Sequence, residues 1–151
     1  MRDQDESFMR LALALATGAG QAGEVPVGAV VVRENKVIGQ AANGREASGD
    51  PTAHAEVVAL REAAGAVGSW HLEGCTMYVT LEPCPMCAGA LVMARAARLV
   101  FGATDPKTGA CGSLYNLCAD PRLNHELQVT RGVLGQESAE LLADWFSARR
   151  S

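Results

Sequence analysis

The chain lacks any long apolar run, any linker and any excess of positive charge. Its apolar stretch from Leu11 to Ala16 is too short to span a bilayer, and it follows Asp3, Asp5 and Glu6, the wrong charge for a secretory leader. The expectation is a cytoplasmic protein with no membrane association. Lys and Arg number 13 against 17 Asp and Glu, a net charge of −4 with a pI near 5.3. That balance argues against a broad nucleic-acid-binding surface. Any basic rim must be local, built from Arg95, Arg98, Lys107, Arg149 and Arg150. Cysteine is present, but its number is odd: of five, three lack a spaced partner. This argues against a disulfide framework as the organising device and for a reducing compartment. No low-complexity segment divides the 151 residues, which are 48% hydrophobic and 20% charged. One domain spanning residues 1–151, with a sizeable core, is expected.

What is present is concentrated in two short motifs. His54-Ala55-Glu56 is followed thirty positions later by Pro83-Cys84-Pro85-Met86-Cys87. Zinc takes thiolate and imidazole ligands in a tetrahedral set, and a catalytic site keeps three protein ligands with a fourth position for water. His54, Cys84 and Cys87 make three. Two thiolates cancel the ion's charge, so a water there meets a weaker field than beside three neutral imidazoles, and a separate base becomes useful. Glu56 is the candidate proton shuttle, held two residues from a ligand. A structural zinc knuckle would need a fourth ligand, and neither His71 nor His125 lies in a spaced motif. Cys75 reads as a small buried residue at a strand, and Cys111 and Cys118 as packing residues around a loop.

The backbone context supports the pair of motifs. Pro85 suits the first position of a helix because its missing amide hydrogen costs nothing there, and the apolar run that follows carries the helix toward Ala97. Cys84 is then the cap, and both sulfurs lie over the first turn, where unpaired amides favour thiolate. Asp50-Pro51-Thr52 opens a second helix from His54 to about Ala64, with Thr52 or Asp50 as cap. Positions i and i+2 of a regular helix do not share a face, so His54 and Glu56 can converge only in its first turn.

Elsewhere the pattern alternates. A helix from about Asp5 to Ala19 precedes β-branched runs Val27–Arg33 and Lys36–Ala42, joined by a hairpin at Glu34-Asn35. Strands are expected at Thr76–Leu81, Arg98–Gly102 and Leu127–Thr130, with a last helix from about Gln136. This order implies an α/β protein with a mixed sheet and helices on its faces. The site falls at the carboxyl ends of strands, where open α/β sheets hold ligands. Ala88 to Ala94 has no polar side chain, so that helix must be covered on more than one side, by the sheet and by another helix or a second protomer.

Glu24-Val25-Pro26-Val27-Gly28-Ala29, Asp50 to Glu56, Tyr78 to Cys84, Phe101-Gly102-Ala103, Lys107-Thr108-Gly109-Ala110 and Leu123-Asn124-His125 together resemble the bacterial tRNA-specific adenosine deaminase family. The zinc motif is shared by the wider nucleobase deaminase superfamily, while the Asp105-x-Lys107-Thr108-Gly109 loop and Asn124-His125 point to the tRNA branch. The resemblance implies a three-layer α/β/α cytidine-deaminase-like fold with a five-stranded mixed sheet. It implies a homodimer with one zinc ion per subunit, acting on a tRNA anticodon stem-loop of the arginine type. There, adenosine at the wobble position would be hydrolysed to inosine by attack at C6, with Glu56 shuttling the proton. Asn43, Asp105, Lys107, Asn124 and Phe146 would contact the substrate. Two competing readings use the same motifs: a deaminase of a free base or nucleoside, of the guanine or cytosine type, which suits the acidic charge, and a non-catalytic protein with structural zinc.

Overall fold

The computed structural model describes residues 2–150, the side chain of Arg150 excepted. Helix α1 (Arg2–Gln21) buries Met9, Ala12, Ala16 and Ala19, a spacing that puts all four on one face. Strands β1 (Gly28–Arg33) and β2 (Lys36–Ala42) form the hairpin, and both turn residues are left-handed, Glu34 at φ 51° and Asn35 at φ 64°. That geometry matches the twist of the flanking strands. A four-residue helix α2 (Arg45–Ser48) and helix α3 (Ala55–Val67) follow. Strand β3 (Cys75–Leu81), helix α4 (Pro85–Met93) and strand β4 (Arg98–Ala103) make the central unit. A long loop with one 3-10 turn at Leu117–Ala119 leads to strand β5 (Gln128–Arg131) and helix α5 (Gly135–Arg150).

The sheet has five strands in the order β2-β1-β3-β4-β5. β1 is antiparallel to β2 and to β3, whereas β3, β4 and β5 run parallel, so the sheet is mixed as expected. Because strand side chains alternate, each of the three central strands serves two layers. Ala29, Val31, Met77, Val79, Leu99 and Phe101 pack with Ala59, Leu60, Ala88 and Leu91 of α3 and α4. Val30, Val32, Tyr78 and Val100 pack with Met9 and Ala12 of α1 and, more loosely, with Val133 and Leu134 ahead of α5. The result is the α/β/α three-layer arrangement.

Three local expectations need correction. The helix carrying the cysteines stops at Met93, short of Ala97. Arg95 turns left-handed at φ 64° and Ala96 donates back to the Leu91 carbonyl, because the chain must reverse within a few residues to enter β4. Neither Asp50 nor Thr52 caps α3. Asp50 accepts instead from the backbone N–H and hydroxyl of Thr52, a local turn, and His54 itself occupies the cap position. Finally, Arg98 is not a rim cation. It donates 2.8 and 2.7 Å hydrogen bonds to the two carboxylate oxygens of Asp5 and a third, 3.0 Å, to Thr130. With Tyr78 donating to Asp5 as well, this cluster ties α1 to β3, β4 and β5. The short α2 and the 3-10 turn had no sequence signal, since neither is long enough to express a helical period.

Candidate metal centre and substrate cleft

The two motifs meet at the starts of α3 and α4. His54 is extended at φ −68°, ψ 148°, one residue before α3 begins, while Glu56 lies inside its first turn. The i, i+2 objection therefore does not apply, because only one of the two residues has helical geometry. Cys84 caps α4 in an extended conformation, Pro85 is the first helical residue and Cys87 follows in the first turn. His54 Nδ1 is 3.4 Å from Cys87 Sγ and 3.6 Å from Cys84 Sγ. All three ligand atoms fall within 4.8 Å of one another. A tetrahedral zinc ion about 2.3 Å from sulfur and 2.0–2.1 Å from nitrogen separates such a pair by about 3.5 Å. The donor set and its spacing thus fit zinc, which thiolates favour over the oxygen-seeking magnesium and calcium.

The electrostatics are those of a buried, proton-sharing site. Glu56 is 4% exposed. Its carboxyl is pushed up to about 7, chiefly because burial strips the charged form of water, with negative charge at Cys84 adding and a hydrogen bond from Cys87 opposing. Cys84 is pushed down to about 5, first by the hydrogen bond from the Cys87 thiol and then, against its own burial, by amides of the α4 N-terminus. Cys87 moves the opposite way, because it gives that hydrogen bond and is buried. Zinc takes both sulfurs as thiolates, so metal binding would release any proton that they share.

Above the metal ligands opens a cleft of about 540 Å³. Asn43, Asp105, Lys107 and Phe146, from three separate parts of the chain, line it together with His54, Glu56 and Cys84. Asn43 is buried, donating to the Val25 carbonyl at 3.2 Å and accepting from the Arg45 amide at 3.4 Å, which leaves one amide N–H unspent. Asp105 accepts from the backbone of Lys107 and Thr108 through Oδ1 and from the Thr108 hydroxyl through Oδ2. A carboxylate has about four lone-pair sites, so one on Oδ2 remains. Phe146 is exposed at the mouth, and Trp145 beside it donates to the Gly20 carbonyl, docking α5 on α1. Arg45, Thr108, Glu82 and Leu142 also line the cleft and were not foreseen. Glu82, directly before Pro83-Cys84, and Thr108, in the loop with Asp105 and Lys107, carried positional hints.

Asn124 lies elsewhere. It lines a second groove of about 550 Å³ with Leu60, Trp70, Ala90, Met93 and Arg95, where Trp70 and Met93 are 59% and 73% exposed. Among the described side chains of the expected basic rim, only Lys107 reaches the cleft, joined by Arg45; Arg149 instead stacks 3.7 Å over the Trp145 ring, and the Arg150 side chain lies outside the described residues. Neither other histidine is near the metal centre: His71 contacts Glu73, and His125 donates to the Ala96 carbonyl. Cys75, Cys111 and Cys118 are buried and free, the last two 3.8 Å apart.

Residues 2–103 match the family model of the cytidine and deoxycytidylate deaminase zinc-binding region, so fold and site define a zinc-binding deaminase. Within that class the chain belongs to the tRNA-specific adenosine deaminase family. It is 48% identical to the enzyme of that name from Bacillus subtilis (strain 168) over 147 residues, 97% of this chain and 91% of that one. The Haemophilus influenzae enzyme of the same name is 50% identical, over 97% of this chain and 85% of its own. Among solved structures, one from work on A-to-I editing by tRNA:A34 deaminases at the wobble position superimposes with a TM-score of 0.87. It is 46% identical and covers 90% of this chain and 99% of that one. A guanine deaminase from Bacillus subtilis is a more distant match, with a TM-score of 0.63 and 40% identity over 66% and 64% of the two chains.

Proposed function

We propose that this protein converts adenosine to inosine at the wobble position of a tRNA anticodon, of the arginine type, releasing ammonia at the expense of one water. The observation that carries the reading is the cleft itself, about 540 Å³ and lined by Asn43, Asp105, Lys107 and Phe146 above the His54, Cys84, Cys87 and Glu56 cluster. Its support is the chain's likeness to proteins named for that reaction.

One zinc ion per subunit, held by His54 Nδ1 and the sulfurs of Cys84 and Cys87, would supply a Lewis acid that acidifies a water and aims it at C6. Glu56 then moves the protons. Burial raises its carboxyl above the ordinary value, which suits it both to accept and to return a proton, first from the water, then to the purine ring and the departing amine. The spare Asn43 amide N–H donates to the purine. The remaining lone pair of Asp105 accepts from a ribose hydroxyl, a group that distinguishes RNA from DNA when it is the 2′-hydroxyl. Lys107 meets a phosphate and Phe146 offers a stacking face. Because an anticodon loop presents unpaired bases, extruding the target base costs less than from a duplex. Asn124 lies outside this cleft, so its proposed contact requires the RNA to run beyond the mouth.

We further propose a cytoplasmic, single-domain protein that acts as a homodimer, with the exposed Trp70 and Met93 of the second groove covered by the partner. No helix among the described residues is long and apolar enough to cross a membrane. A free-base deaminase is the second reading, favoured by the net charge of −4 and by the likeness to a guanine deaminase. Inosine formation on an adenosine-containing arginine-tRNA anticodon stem-loop separates the two, with adenine, guanine, cytosine and cytidine assayed alongside. Stem-loop turnover that falls about 10²- to 10⁴-fold in zinc-replete Glu56→Ala supports the proposal. Turnover of a free base without the RNA would replace it with the second reading.

A further inference from the structure

Glu82 is the last residue before the cysteine motif, and the chemistry described above does not use it. It is 2% exposed, yet among the described residues no cation is paired with it. Burying a carboxylate without a counter-ion costs several kcal/mol unless hydrogen bonds replace its water. Four do so. Oε1 accepts from the backbone N–H of Asp105 at 3.0 Å and the Ser113 hydroxyl at 2.5 Å; Oε2 accepts from the N–H groups of Cys111 and Ser113, both at 3.0 Å. These donors are the two ends of one loop, and its first end, with Asp105, Lys107 and Thr108, lines the cleft. Gly109 completes the fit, since a methyl group there would overlap the Glu82 carboxyl and the Asp105 carbonyl. The opposite wall is held in the same way: Glu24, 3% exposed, accepts from the amides of Glu46 and Ala47, just beyond Asn43 and Arg45.

We propose that Glu82 is a positioning residue: its carboxylate sets the Asp105–Thr108 wall over the metal centre and so governs substrate binding, not the chemical step. This rests on the function proposed above. A sharper consequence follows from the donor arrangement. In Glu82→Gln one oxygen becomes an NH2 donor. On the Oε2 side it would face two fixed N–H groups. On the Oε1 side it would face one N–H and a hydroxyl, which can rotate to accept. The amide therefore settles with its nitrogen on the Oε1 side. Cys111 and Ser113 keep their acceptor, and the Asp105 N–H alone loses its own. The break falls on the residue that begins the substrate wall.

The test uses the zinc-loaded full chain as wild type, Glu82→Gln and Gly109→Ala, with kcat and KM on the stem-loop, zinc content and amide hydrogen exchange. For Glu82→Gln we expect KM to rise about fivefold or more, the effect of losing one positioned hydrogen bond, with kcat within about twofold and zinc retained. Exchange should accelerate at Asp105 and stay slow at Cys111 and Ser113. Gly109→Ala should raise KM in the same direction with the carboxylate intact, and it decides the matter if Glu82→Gln does not fold. A fall in kcat at unchanged KM, loss of zinc, or equal acceleration at all three amides would overturn the proposal. If wild type fails to turn over the stem-loop, the functional reading falls, and the exchange pattern still decides whether Glu82 positions the wall.

Discussion

Arg98→Met offers a test of how the helical layer is held to the sheet. The side chains of Arg98 and Asp5 are 15% and 6% exposed, and Arg98 gives Asp5 both of its charged hydrogen bonds. The substitution keeps the aliphatic bulk but leaves Asp5 with the Tyr78 hydroxyl alone. Breaking a buried pair from one side costs about 3–5 kcal/mol, because an uncompensated charge stays behind. For a domain of this size that lowers Tm by roughly 6–20 °C. The double variant Asp5→Asn, Arg98→Met should recover most of the loss. The pH dependence has a definite sign. Burial alone would raise the Asp5 carboxyl, but hydrogen bonds from Arg98 and Tyr78 outweigh it and hold the group below its ordinary value. A depressed carboxylate stabilises the fold above its unfolded pKa of about 3.9, and that stability is lost as pH falls through the lower folded value. In Arg98→Met only burial and Tyr78 remain, the folded pKa rises, and the buried charge becomes a burden near neutrality. The deficit against wild type should therefore be largest near pH 7 and shrink toward pH 3. Urea unfolding of the metal-free proteins across that range measures it, because protonation of His54, Cys84 and Cys87 would release zinc at the acid end. A loss below about 1 kcal/mol, a pH-independent deficit, or additive single and double variants would refute the reasoning.

Three further outcomes concern the cleft and the groove. Lys107→Ala should raise KM for the stem-loop and reduce the slope of log KM against log salt by about 0.7, the signature of one lost contact to a single-stranded phosphate; an unchanged slope would remove Lys107 from the phosphate path. Asp105→Asn should lower the ratio of RNA to DNA turnover, since the free lone pair on Oδ2 is the acceptor assigned to a ribose hydroxyl; an unaltered ratio would reassign Asp105 to its turn alone. Met93→Glu, at the most exposed apolar position of the second groove, should shift the protein toward monomer in light scattering at micromolar concentration, because an unpaired charge would be desolvated in the contact. A dimer of unchanged affinity would move the interface elsewhere.

Much of the metal centre was legible beforehand because its determinants are local. Cys84, Pro85 and Cys87 bring their own helix start, and ligand chemistry restricts which ions such a set accepts. Strands β1 and β2 followed from β-branched runs and their connection at Glu34-Asn35 from a hairpin signal, while the left-handed geometry of that turn came from the structure. The reservation about His54 and Glu56 was sound for a helix and vanished only because His54 stands outside one. Asn43, Asp105, Lys107 and Phe146 came from resemblance, not from any pattern that the residues themselves display.

The candidate ligand types, the strand order along the chain and the start of the cysteine-bearing helix were legible in the sequence alone, because residue chemistry and short local patterns carry them. The tertiary structure decided the rest. It paired Arg98 with Asp5, 93 positions away, and so withdrew a cation that composition had offered to the substrate. It put Asn124 in a different groove from Asn43, and it assembled the Glu82 cradle from a strand end and a loop more than twenty residues on. Such contacts join residues that no short period relates. They are selected by which buried charges must find partners once the layers close, a condition that exists only in the packed chain.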